Sequence, residues 1–235
     1  MKESILVYVC LLTTVFVLGQ SSNFQRSSTG DAISGFQNFG SNTGTWVKNS
    51  ANSPAKVRGS VYLFDNWSSQ GTITAVDGKQ FHIKGMNYDA SVDQMVVKIS
   101  PDSIYAFNGG TVKEVSINNK NFKRYLDPDF GRNSYYEVII STSEFELLKR
   151  NVAILHPGAL NPLTHQKQVP DTYVVEEKYF CKRKGDLEEF KVTKRNVVAL
   201  FQDHVVEVKD FIKDNHLNIK EDNDLMKTVM YGSSL

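Results

Sequence analysis

The sequence predicts a mainly β protein, in which an antiparallel meander forms a curved sheet or partial barrel and two to three short α-helices follow at the C-terminus. Apolar and polar residues alternate through most of residues 59–192, which is the period of strands with one buried face. Turn-forming residues separate these runs about every 8–12 residues, a spacing typical of antiparallel sheets. After Thr193 the apolar spacing becomes that of amphipathic helices.

The clearest single element is a hairpin over residues 72–84. Ile73 lies in one alternating run and Ile83 in the next, so each run has one apolar face. Asp77 and Gly78 stand between them and tolerate the positive φ that a tight hairpin turn requires. The same pattern recurs in further candidate strands at residues 61–64, 95–99, 104–107, 112–117, 122–126, 135–141, 145–155, 173–181 and 187–192.

The C-terminal residues 193–235 predict short helices that pair with each other or cover the sheet. Asp203 is a good N-cap for a helix whose apolar face includes Val208 and Ile212. Acidic residues at 221–224 favour the start of a last helix, and Gly232 favours its end. The β domain is therefore predicted over residues 59–192, with this helical segment packed on it.

Residues 1–19 have the pattern of a cleavable secretory signal peptide. Lys2 precedes an uncharged stretch at residues 5–18, which is shorter than the roughly 20 residues that a helix needs to span a bilayer. Gly19 suits the cleavage position, and Gln20 follows where a lipoprotein would need cysteine. We expect export to the periplasm or the exterior with no membrane span after cleavage; a buried strand or an uncleaved anchor is the alternative.

Residues 20–58 are rich in Ser, Asn, Gly and Thr and show no apolar period. Such a segment buries too little apolar surface to offset the entropy of ordering it, so we predict a mostly disordered linker. Scattered aromatic residues such as Phe39 and Trp46 leave a second interpretation, a tether that docks on a partner.

Charge and motifs exclude several functions. The net charge is +1 and no basic run occurs, which argues against binding of nucleic acid. The serine-hydrolase elbow, the zinc helix, the phosphate loop and the dinucleotide fingerprint are absent from the sequence. Cys181 would be the only thiol after cleavage of a leader containing Cys10, so we predict no disulfide; we interpret Cys181 as a small buried hydrophobe rather than a nucleophile or redox thiol.

Two further segments are candidates for chemistry. Asp127 and Asp129 have the spacing of a calcium loop, but Gly131, Arg132 and Val138 occupy positions where that loop needs other residues. We therefore interpret residues 127–133 as a polar turn. The histidines have no local pairing typical of a metal site, and they are His82, His156, His165, His204 and His216. We predict no catalytic, cofactor-binding or metal-binding residues and no cofactor.

Residues 156–171 contain three prolines and no period, which indicates a long connection between strands. A lid over a groove in the sheet is the alternative. Several aromatic residues are expected in the core rather than in a ligand site, and they are Tyr62, Phe64, Trp67, Tyr105, Phe107, Tyr135 and Tyr136.

Three runs carry a resemblance: GTITAVDGKQFHIKGMNYDASVDQMVVK, SYYEVIISTSEFELLKR and VVEVKDFIKDNHLNIKEDNDLMKTVMYGSSL. They resemble a group of secreted or periplasmic proteins of the Bacteroidota, which have a signal peptide, a β-meander domain and a short helical tail. The resemblance covers most of residues 59–235 and implies a bacterial cell-envelope setting. It implies no active residues, because no activity is assigned to that group.

The function expected from the sequence is a non-enzymatic envelope protein that binds or scaffolds a partner through its sheet. Its partner would be another envelope protein or an apolar ligand. Two alternatives stay open: a carrier of an apolar ligand such as a lipid in a half-barrel, and a hydrolase whose site is assembled from distant residues.

Overall fold

The computed structural model describes Phe39 and residues 43–48, 57–164 and 167–235. It confirms the predicted class: two open antiparallel sheets are followed by short C-terminal helices. The described strands are β1 (Gly44–Lys48), β2 (Gln70–Ala75), β3 (Gln80–Lys84), β4 (Met86–Asp89), β5 (Gln94–Ser100), β6 (Ser103–Phe107), β7 (Val112–Ile117), β8 (Lys120–Leu126), β9 (Asn133–Ser141), β10 (Phe145–His156), β11 (Thr172–Arg183) and β12 (Asp186–Glu189). The α-helices are α1 (Lys194–Ala199), α2 (Val205–Asp214) and α3 (Asp222–Gly232), and 3₁₀ turns cover Gly109–Thr111 and Gln202–His204.

The larger sheet contains the predicted meander. Its order is β12-β11-β10-β9-β8-β7-β2-β3, so the strands from β7 to β12 each lie beside the next one along the chain. The smaller sheet has the order β1-β6-β5-β4 and is built from the segment between β3 and β7, together with β1. The chain therefore leaves the large sheet after its first hairpin and returns to it for the meander.

The predicted hairpin turn lies where it was expected, and two other hairpin turns also use positive φ. The hairpin over residues 72–84 forms as β2 and β3, with Gly78 at φ +85°. Asn118 and Asn119, at φ +51° and +63°, connect β7 to β8. Lys184 and Gly185 have φ values of +52° and +101° between β11 and β12. In each turn these residues supply the positive φ that matches the twist of the flanking strands.

Two apolar clusters cover neighbouring parts of one face of the large sheet. The first lies between the two sheets and includes Tyr88 from the small sheet and Phe122 from the large one. The second lies between the large sheet and the helices and includes Leu147, Val208 and Leu225. Since alternating residues of β10 contribute to both clusters, the small sheet and the helices share this face.

The segment predicted as a linker contains ordered structure at its described positions. β1 pairs with β6 over residues 44–48, and Phe39 is buried in the first apolar cluster. Gly44 lies so close to β6 that a Cβ there would be 2.0 Å from the carbonyl oxygen of Ala106. β1 forms by hydrogen bonding to the edge of β6. Its own residues therefore need not alternate between apolar and polar types, and the sequence shows no strand pattern there. The predicted signal peptide, residues 1–19, lies outside the described residues.

The helices form where the apolar spacing changes, but one predicted cap is wrong. Asp203 lies inside a 3₁₀ turn, and α2 begins after His204, whose side chain makes no capping hydrogen bond. The capping hydroxyl lies one helix earlier, where Thr193 accepts a hydrogen bond from the backbone of Asn196. Gly232 ends α3 as expected and packs against the ring of Phe201. Among the described residues, no helix is both long enough and apolar enough to cross a membrane.

Candidate ligand-binding site

A carboxyl group lies at the junction of the two sheets. Asp93 follows β4 in the turn to β5 and has φ +57°, a conformation that aspartate tolerates better than most residues. Its Oδ1 accepts hydrogen bonds from the Tyr88 hydroxyl at 2.8 Å and from the backbone N–H of Tyr135 at 3.0 Å. Burial raises the pKa of Asp93 above its ordinary value. This side chain therefore connects the small sheet to β9 of the large sheet.

Arg124 and Tyr135 are paired across β8 and β9. The Arg124 guanidinium carbon lies 5.3 Å from the centre of the Tyr135 ring, and one terminal nitrogen donates to the carbonyl of Asn133 at 2.8 Å. Its Nε is buried and has no hydrogen-bond partner among the described residues. The Tyr135 hydroxyl is in the same situation on a side chain only 2% exposed, and burial raises its pKa.

A glycine makes this arrangement possible. Gly109 lies against the Arg124 side chain, where a Cβ would be 2.6 Å from the guanidinium carbon. The Asn108 side chain accepts from the backbone N–H of Gly110 at 2.9 Å and so fixes the 3₁₀ turn after β6. The turn at residues 108–110 therefore brings this backbone against the guanidinium of Arg124 on β8.

These side chains line a cavity of about 480 Å³ between the ends of the two sheets. The size lies within the range of sites for small molecules. Its wall includes Asp93, Arg124, Arg132, Tyr135 and, from β1, Gly44. Two guanidinium groups and one carboxyl group are its charged members, so the wall has an excess of positive charge while Asp93 is ionised.

The loop that carries Arg132 is anchored by a buried ion pair. Asp127 is fully buried; its Oδ2 lies 2.6 Å from Arg150 and accepts from the Tyr136 hydroxyl at 2.7 Å. Its Oδ1 accepts from the backbone N–H groups of Asp129 and Phe130 at 2.9 and 3.2 Å. The loop after β8 is thus closed around one carboxylate.

The alternative of a calcium loop gains no support from this geometry, because Asp127 is already bound by its neighbours. Within the described ranges, no group of three or more His, Cys, Asp or Glu side chains could hold a metal ion. The predicted polar turn has a buried anchor that sequence reasoning did not anticipate.

A second charged network lies between the two apolar clusters. Lys149 is only 3% exposed and lies 2.5 Å from Asp222, 3.1 Å from Glu177 and 3.7 Å from Glu137. Although burial alone would lower the pKa of Lys149, the surrounding carboxylates raise it. A lysine held as ammonium is not a nucleophile, so this network fixes α3 to the sheet rather than performing chemistry.

The other candidates from the sequence are separate from the cavity. His82 contacts the Thr72 hydroxyl at 3.0 Å, and His156 lies 3.5 Å from Glu176. His204 and His216 lie in the helical segment, and His165 lies outside the described residues. Cys181 is half-buried on β11, and burial raises the pKa of its thiol.

The long connection between β10 and β11 also lies apart from the cavity. Its described part includes Leu163, which is 91% exposed, and a backbone bridge between Leu160 and Lys167. Of the aromatic residues expected in the core, the buried ones are Tyr105, Phe107, Tyr135 and Tyr136, whereas Tyr62, Phe64 and Trp67 are only partly buried.

Sequence reasoning missed Asp93, Arg124 and Arg132 as site residues. One signal was available for Arg124: it follows the fully buried Phe122 by two residues on β8, and therefore lies on the inward face. A charged residue at an inward position calls for a partner or a ligand. Asp93 and Arg132 lie in turns, where side chains do not alternate between two faces, so the sequence does not predict which way they point.

Comparison with protein-family models, curated proteins and solved structures finds no match to this chain.

Proposed function

We propose that the protein is a non-enzymatic binding protein of the cell envelope that holds a small polar ligand in the cavity between its two sheets. One observation carries the proposal: Arg124 and Arg132 both line the cavity, and neither forms an ion pair with a carboxylate in the described part of the chain. A hydrogen bond to a charged group contributes about 1.5–3 kcal/mol, so a polar ligand that bonds to these guanidinium groups would gain this energy. Export rests on the signal-peptide pattern of residues 1–19.

The chemistry of the wall favours a polar ligand over a lipid. A lipid carrier needs a cavity lined with surplus apolar side chains, whereas this one presents Arg124, Arg132 and Asp93. Burying a hydrocarbon chain against these groups would remove water from charges without replacing its hydrogen bonds.

The same wall favours binding over hydrolysis. Acyl-transfer chemistry needs a nucleophile next to a base. The cavity wall includes neither Cys181 nor any described histidine, and Asp93 Oδ1 is already bound to the Tyr88 hydroxyl and to a backbone N–H.

The test is a ligand-observed NMR screen of the mature protein against two sets of compounds, small polar metabolites and fatty acids. Val92 lines the cavity but is 54% exposed, so Val92→Trp should fill the mouth without disturbing the core. Val76→Trp is the matched control, since Val76 is 65% exposed in the turn between β2 and β3.

The proposal expects polar compounds that bind to the wild type and to Val76→Trp but not to Val92→Trp. Binding confined to fatty acids would favour the lipid carrier. The proposal is contradicted if no compound binds, or if every compound that binds to the wild type binds equally well to Val92→Trp.

A further inference from the structure

We infer that the ligand of this cavity is a compact anion, a carboxylate or a phosphate, held between Arg124 and Arg132. The inference rests on the proposed function and names the chemical class of its ligand. It follows from the charges that line the cavity and from a comparison of the half-buried Arg124 with the buried cations elsewhere in the molecule.

The buried cations away from the cavity have carboxylate partners. Arg150 lies 2.6 Å from Asp127, and Lys149 lies 2.5 Å from Asp222. These pairs follow the general rule that a protein pairs a charge when it removes that charge from water.

The half-buried Arg124 differs in this respect, and the exposed Arg132 adds a second unpaired guanidinium to the same cavity. Over the described ranges, neither Arg124 nor Arg132 forms an ion pair with a carboxylate within 4.0 Å. Their described contacts are with aromatic rings, Tyr135 at 5.3 Å for Arg124 and Phe130 at 5.7 Å for Arg132, together with the bond from Arg124 to the Asn133 carbonyl. A ring face positions a guanidinium but does not neutralise its charge.

Asp93 does not neutralise them either. It lines the same cavity, but its bound oxygen accepts from Tyr88 and from the backbone of Tyr135, and it forms no ion pair with either arginine. The cavity therefore has two guanidinium groups for one carboxyl group, which is itself harder to ionise because burial raises its pKa. An anion would supply the missing charge.

The chemistry of the donors also suits an oxyanion. Guanidinium groups bind carboxylate and phosphate oxygens through paired N–H donors, and both Arg124 and Arg132 line the cavity. A cavity of about 480 Å³ accommodates a small organic acid or phosphate ester rather than a polymer.

The experiment is isothermal titration of the mature protein with three probes, inorganic phosphate, citrate and, as an uncharged polar control, glucose. Arg132 is exposed, so Arg132→Gln should fold normally, and Arg195→Gln removes the same charge from an exposed site in α1. We expect phosphate or citrate to bind to the wild type and to Arg195→Gln, and to bind Arg132→Gln roughly tenfold or more weakly.

Two further arms make the outcome decisive. Arg124→Lys keeps the positive charge but loses the paired donors and Nε–H, so it should weaken binding at least as much as Arg132→Gln while thermal unfolding confirms that it is folded. Val92→Trp should abolish binding.

Preference for phosphate or for citrate identifies which oxyanion the cavity takes. Anion binding that is insensitive to Val92→Trp and Arg132→Gln would be adventitious surface binding and would overturn the inference. If only neutral compounds bind in a manner sensitive to Val92→Trp, the inference fails and the proposed function stands. If nothing binds in that manner, both fail.

Discussion

Removal of the Asp127 carboxylate tests whether the loop beside the cavity is held by a buried ion pair. Asp127→Ala leaves the Arg150 guanidinium, whose side chain is 7% exposed, without the carboxylate that lies 2.6 Å away. It also removes the acceptor for two loop N–H groups and for the Tyr136 hydroxyl. Breaking a buried pair on one side costs about 3–5 kcal/mol, and the lost loop bonds contribute to the same total. We expect a loss of about 4 kcal/mol in the free energy of unfolding.

The assay is equilibrium unfolding in urea followed by tryptophan fluorescence. With a denaturant slope of about 2 kcal/mol per molar, a loss of about 4 kcal/mol lowers the unfolding midpoint by about 2 M. Asp127→Ala with Arg150→Met removes both charges and lets an apolar chain pack on the Phe130 ring, which lies 4.5 Å from the Arg150 guanidinium carbon. The double variant should therefore be more stable than Asp127→Ala alone.

Asp129→Ala is the matched control in the same loop, since Asp129 is exposed and should change stability by less than about 0.5 kcal/mol. The reasoning is refuted if Asp127→Ala loses less than about 1 kcal/mol, or if the double variant is no more stable than Asp127→Ala.

Three further predictions concern the sheet junction, the charged network around Lys149 and the wall of the cavity. Burial raises the pKa of Asp93, so the folded state favours the protonated carboxyl group. The free energy of unfolding of the wild type is therefore reduced by this group at neutral pH, and it rises as the pH falls through the folded-state pKa. Asp93→Asn should be at least as stable as the wild type at pH 7, and a urea series should show this difference shrinking toward pH 4; a difference that grows on acidification would contradict the sign. Asp222→Asn removes the nearest carboxylate from Lys149 and should lower the free energy of unfolding by about 2 kcal/mol in the same assay. An unchanged unfolding midpoint would show that the charged network around Lys149 contributes little to stability. Gly44→Ala places a Cβ 2.0 Å from the carbonyl oxygen of Ala106 and should displace β1, which hydrogen exchange would detect as lost protection in β6 with the large sheet unaffected; full protection in β6 would count against the close approach.

The elements that the sequence predicts well are those set by local chemistry. Gly78 and Gly185 favour their turns whatever surrounds them, because glycine adopts positive φ more readily than other residues. The alternating runs between these turns fix which side chains face inward, and the class of the fold follows from them.

The parts that the sequence does not predict depend on distant partners. Asp127 reads as a surface turn residue until Arg150, on a different strand, is placed against it. β1 forms only because the edge of β6 exists to receive it. The cavity is lined by residues from the turn after β4, the inward face of β8 and the loop after β8. These segments are far apart in the sequence, and no sequence pattern predicts that they lie together. Arg124 was the one predictable member, through its inward position on β8.

The most direct test of the cavity as an anion site is the ¹H–¹⁵N resonance of the Arg124 side-chain Nε–H, assigned by its loss in Arg124→Lys and followed during titration with phosphate and with citrate. Since this N–H belongs to the guanidinium of a side chain that lines the cavity, binding of an oxyanion to that group should shift its resonance to saturation, with the same affinity that calorimetry gives. The shift should disappear in Val92→Trp. A resonance that stays in place while the protein binds the anion would locate the ligand elsewhere and contradict the account.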